Sequence, residues 1–229
     1  MKWLAERLGE LSEEKLKVFN LKLIPGLPED AVLGVRTPRL RRLASEMEKE
    51  GRSGAFLSEL PHAYLEENLI HAFLLCGIRD YSLCLERLEA FLPFVDNWAV
   101  CDALSPGCFR DGDPELHDRI PGWLESDRPY TVRFGIGTAM RRFTGPHYAA
   151  DLAERIADLA FEHYYVEMGQ AWYFATLLAT NEKAALEYLQ NARLSPVVHR
   201  MTVRKAFESF RVSDGCKEKL KAYTGGKTH

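Results

Sequence analysis

Apolar side chains recur at three- and four-residue intervals along most of this chain, the period of a helix with one buried face. Between Tyr64 and Arg79 the stripe is Leu65, Leu69, Ala72, Phe73 and Cys76. Ser12 reads as the cap of a helix running toward Leu23, which Pro25-Gly26-Leu27-Pro28 ends. Thr37-Pro38 predicts the next start, with Thr37 as N-cap, and Gly51 its stop. Further helices are expected over Tyr81 to Leu92, around Trp98, from Asp113-Pro114 to Leu124, and over Tyr130 to Phe143. Pro146 to Glu162, Val166 to Ala179, Glu182 to Gln190, Pro196 to Phe210 and Ser213 to Tyr223 complete the series. No run alternates with period two, so no strand is expected.

About twelve helices joined by short Gly-, Pro-, Asp- and Asn-containing turns predict antiparallel pairs. Spread over 229 residues, about six pairs take roughly 38 residues each, the size of HEAT-like units. The expected fold is therefore all-α, a HEAT-like helical-repeat solenoid forming a right-handed α-α superhelix. It reads as a single domain over 1–223 with a loose tail over 224–229. Arrays of this kind offer an extended binding face.

Composition narrows the function classes. Apolar residues make up 46% and charged residues 28% of the chain, as in ordinary soluble domains. No apolar run is long enough to span a membrane, and the N-terminus lacks a secretory pattern, so a cytoplasmic protein is expected. The five cysteines form no C-x-x-C and read as reduced thiols. The seven histidines stand at no metal-ligand spacing; His71, on an apolar helix, reads as a core histidine. P-loop, H-E-x-x-H and G-x-S-x-G motifs are absent. Neither cofactor nor metal is expected. The net charge is −3, yet basic residues cluster: Arg36, Arg39, Arg41 and Arg42, then Arg141-Arg142, then Arg200, Arg204 and Lys205. Each cluster is either a solvated helix face or a phosphate-binding patch.

One spacing carries candidate chemistry. Trp98 and Asp102 are four residues apart and share a helix face. An aromatic plane beside a carboxylate suits a cation or a sugar developing positive charge. Taken alone, the spacing favours a core tryptophan and an aspartate that caps or pairs locally. Arg133 and Trp172 lie on later helical segments.

Several segments in order resemble the AlkD-type DNA alkylation repair family, the HEAT-like-repeat alkylpurine DNA glycosylases. They are Leu33-Gly34-Val35-Arg36-Thr37-Pro38-Arg39-Leu40-Arg41-Arg42-Leu43-Ala44, Tyr64-Leu65-Glu66-Glu67-Asn68 and Asn97-Trp98-Ala99-Val100-Cys101-Asp102. Val132-Arg133-Phe134, Met168-Gly169-Gln170-Ala171-Trp172 and Arg204-Lys205-Ala206-Phe207-Glu208-Ser209 follow. The third segment is a variant form, with Asn97 and Cys101 inside it.

The resemblance implies excision of cationic N3- or N7-alkylated purines from duplex DNA by a monomeric glycosylase, without flipping the base. It implies a catalytic set of Asp102, Trp98, Trp172 and Arg133, with Arg36, Arg39, Arg141, Arg142 and Arg204 binding DNA. A non-catalytic nucleic-acid or protein binding module is the alternative, and a plain scaffold the third reading.

Overall fold

The computed structural model describes residues 2–223. Among them are fourteen α-helices and no strand. The expected all-α class is therefore the observed one. The expected tail over 224–229 lies outside the described residues. The chain divides into two compact units, one ending at Cys108 and one beginning at Phe109, and each has its own core.

The first unit holds α1 (Lys2–Leu11), α2 (Glu14–Leu23), α3 (Thr37–Lys49), α4 (Ser53–Ser58), α5 (Leu65–Gly77), α6 (Tyr81–Phe91) and α7 (Trp98–Ala103). Leu40, Leu43, Ala44 and Met47 recur at three and four along α3, and all are buried. Burying each larger side chain of such a stripe contributes about 1.5–3 kcal/mol. Helix α3 packs on α5 and α5 on α7, so alternate helices form one layer, and α4 and α6 back onto α5.

The second unit repeats this scheme with α8 (Pro114–Leu124), α9 (Pro129–Arg142), α10 (Ala150–Ala157), α11 (Tyr164–Thr180), α12 (Glu182–Gln190), α13 (Pro196–Glu208) and α14 (Asp214–Leu220). Helices α9, α11 and α13 pack in sequence as one layer. Behind them, α8 packs on α9, α12 on α11 and α14 on α13. This is the helix-pair repeat that the rhythm of the sequence predicts, seen inside each unit.

Three boundaries differ from expectation. Ser12 does not cap α2; its hydroxyl donates to the Gly9 carbonyl at 2.8 Å and closes α1, leaving Glu13 at the cap position. Arg36, not Thr37, precedes α3, and Pro38 occupies its first turn. The helix expected over Pro146 to Glu162 is a 3₁₀ turn at Gly145–His147 followed by the shorter α10. The Gln170 amide, from α11, donates to the carbonyls of Ile156 and Leu159 at 2.7 and 3.3 Å. Those carbonyls at the end of α10 are thus satisfied without another helical turn.

Candidate functional site

Every candidate residue lies on the α3–α5–α7 layer of the first unit or the α9–α11–α13 layer of the second, or at its edge. In the first unit, the Leu33–Val35 segment enters α3 beside the buried Glu66 of α5. The Glu66 carboxylate accepts the amide N–H groups of Leu33, Gly34 and Val35 at 3.0, 2.7 and 3.2 Å. Three amides converging on one carboxylate explain how a charged side chain is held in the interior. Gly34 has φ +80, and a Cβ there would stand 2.5 Å from the Glu13 carbonyl oxygen and the Lys17 nitrogen. Only glycine fits this approach. The neighbouring Glu67 accepts the amides of Ala63 and Tyr64 at 3.0 and 3.2 Å and caps α5.

Helix α7 presents the central pair. Buried Asn97 caps it, its Oδ1 accepting the Val100 amide at 3.0 Å, while Val100 and Cys101 point into the core. The two residues that make this segment a variant form are thus a cap and a core contact. The register leaves Trp98 and Asp102 half-buried, one turn apart. The Trp98 indole N–H donates to the Leu23 carbonyl at 3.3 Å, which fixes the ring plane. Beyond α7 the chain is tied to the end of α5: the Ser105 amide donates to Cys76 Sγ and the Gly107 amide to the Cys76 carbonyl, both at 3.1 Å.

Arg36 and Arg39 do not stand alone. Arg36 donates from Nε and Nη2 to the Glu13 carboxylate at 2.8–3.1 Å, and Arg39 lies 3.6 Å from it. The Arg36 hydrogen bonds hold the Glu13 carboxyl below its usual range. Arg41 instead stacks over Phe73, 4.0 Å from the ring centroid.

In the second unit, Arg133 is only 6% exposed, and its Nη1 donates to the Tyr165 carbonyl at 2.6 Å. Gly169 of α11 faces its guanidinium, where a Cβ would stand 3.6 Å from Nη1. Arg141 folds back over Gly137 of its own helix, and Arg142 pairs with Asp111 at 2.9 Å. Trp172 is 41% exposed. It forms one wall of a pocket of about 210 Å³ with Ala175, Thr176 and Lys205. Exposed Arg204 lies with Arg200 along an open groove on α13. The Glu13 counter-ion and the Arg142–Asp111 pair escaped the sequence reading, because each joins residues more than twenty positions apart.

Elsewhere in the first unit, His62 Nε2 and His71 Nδ1 lie 2.8 Å apart. Phe56 stacks on His62 at 4.3 Å and Phe91 on His71 at 3.9 Å. Burial pushes His62 down to about 4 and His71 down to about 3, so both rings are neutral near pH 7. His71 is the core histidine expected. Among the described residues no group of three or more His, Cys, Asp or Glu is placed to hold a metal ion. No helix there is long and apolar enough to cross a membrane.

A family model described as DNA alkylation repair enzyme matches residues 4–210. The chain belongs to this family. All six segments quoted above fall inside the match, and the family assigns the chain a role in DNA alkylation repair with DNA as its substrate. The comparison with curated proteins gave no match. In this member of the family, the Gly34 and Glu66-Glu67 segments are scaffold, joining α3 to α5, whereas Trp98, Asp102 and Trp172 remain open to solvent in part.

Proposed function

We propose that this protein is a DNA glycosylase that removes cationic N3- or N7-alkylated purines from duplex DNA without base flipping. The observation that carries the reading is the placement of Trp98 and Asp102 one turn apart on a capped helix, both accessible, in a chain of the alkylation repair family. An alkylated purine bears positive charge, which weakens its bond to deoxyribose. Cleavage passes through an oxocarbenium-like state, as in glycoside hydrolysis. The Asp102 carboxylate stabilises that charge and orients the attacking water, while Trp98 offers an aromatic face to the cationic nucleotide; in the second unit, part-exposed Trp172 offers an aromatic face to DNA. The activated purine leaves without a strong general acid, so no histidine is needed. Arg141 and Arg204 supply positive charge to the phosphates, and Arg36 and Arg39 do so on exchanging Glu13 for phosphate, whereas Arg133, buried and bonded to the Tyr165 carbonyl, adds its charge from beneath the surface.

The test is incubation with duplex DNA containing N7-methylguanine. Free base released by the wild-type protein supports the reading. Duplex binding with no release points to the second reading, a non-catalytic DNA-binding member of the family. That alternative draws on the variant form of the Trp98–Asp102 segment, with Asn97 and Cys101 inside it.

A further inference from the structure

Helix α13 and the loop after it carry a cluster of open positive charge. Arg200, Arg204, Lys205 and Arg211 form no ion pair among the described residues, and Glu208 is the carboxylate among them. Two of these cations, Lys205 and Arg211, line the pocket beside Trp172, together with Glu208, Thr176 and Ser209. At about 210 Å³ this pocket falls below the roughly 300–1,000 Å³ of sites that enclose a whole small molecule. It suits a single anionic group reached from outside.

The loop geometry is fixed from both ends. Ser209 closes α13 by donating its amide to the Ala206 carbonyl, and its hydroxyl accepts the Arg211 amide at 3.2 Å. Val212 is buried two residues later. Arg211 is thereby turned onto the pocket rim, and Phe210 projects wholly into solvent. Phe210, fully exposed beside Arg211, contributes nothing to the core and leaves its ring free to contact a bound partner.

We infer that this pocket is a phosphodiester anchor for duplex DNA, with Lys205 and Arg211 as its cations and Phe210 as an apolar contact to the adjacent sugar or base edge. The inference rests on the DNA-repair reading above, and adds residues that lie outside its catalytic set. Glu208 tempers the site, so the anchor is weaker than two cations alone would make it.

Fluorescence anisotropy of a labelled duplex over a series of salt concentrations tests it. Lys205→Gln/Arg211→Gln is expected to bind roughly tenfold or more weakly and to lose about one to two from the slope of log K against log salt. Glu208→Gln should bind about two- to fivefold more tightly. Phe210→Ala should weaken binding about tenfold with the slope unchanged, because no charge is lost. The four substituted side chains all reach solvent, Lys205 half-buried and the others exposed, and unchanged melting temperatures of the three variants verify their folds. Wild-type affinity and slope in the double variant would overturn the anchor while leaving the DNA reading intact. Absence of duplex binding by the wild-type protein at low salt would defeat both.

Discussion

At the residue scale, Asp102 and Glu66 are two carboxylates with opposite assignments. Glu66 is fully buried and satisfied by three amides, so it acts on the fold. Glu66→Ala should cost about 2–4 kcal/mol, because it orphans donors that water cannot reach. Chemical denaturation checks this, and an unchanged midpoint would remove Glu66 from the scaffold. Asp102 is half-buried on a short helix that other groups already cap and pack. Asp102→Asn keeps the shape and removes the charge, so DNA affinity should persist while excision slows by about 30- to 1000-fold. Single-turnover kinetics beside a thermal melt separates the two effects. Wild-type excision with a lowered melting temperature would make Asp102 a structural residue.

At the element scale, the sequence announced most helices because their stripes and caps are local. Leu40, Leu43, Ala44 and Met47 on α3, or Asp113 before Pro114 on α8, need no distant partner to be read. What was illegible depends on distant partners or on short length. Helix α4 has six residues, too few to display a period, and was not anticipated. The end of α10 depends on Gln170 from α11. The Trp98–Asp102 spacing was legible, whereas the Leu23 carbonyl that holds the indole, 75 positions away, was not.

The His62–His71 pair belongs to this scale as well, since it joins α5 to the chain before it. Both pKa values are depressed on folding, so near pH 6 the unfolded chain binds more protons than the folded one. Their contribution to stability is fully present above about pH 6.5. It is lost progressively as pH falls through about 4 and then about 3. The melting temperature should therefore drop between pH 7.5 and pH 5, a range in which most carboxylates remain ionised. His62→Gln/His71→Leu should flatten that slope. An equal slope in the variant would assign the acid sensitivity to other groups.

At the scale of the whole molecule, net charge and local charge point in different directions. A chain of net charge −3 has no general attraction for DNA, so binding must come from local placement of cations. Such binding weakens linearly in log K against log salt. Arg36 and Arg39 take part only by exchanging Glu13 for phosphate, so Glu13→Gln should tighten duplex binding about two- to fivefold, read by anisotropy. A weaker or unchanged affinity would place those arginines outside the DNA face.

The central claim is that the protein cleaves the glycosidic bond of purines already activated by positive charge. Release of base from two duplexes measures it most directly, one containing N7-methylguanine, which is cationic, and one containing O6-methylguanine, which is neutral. The account predicts release of N7-methylguanine and no release of O6-methylguanine. No release from either duplex, or equal release from both, would contradict it.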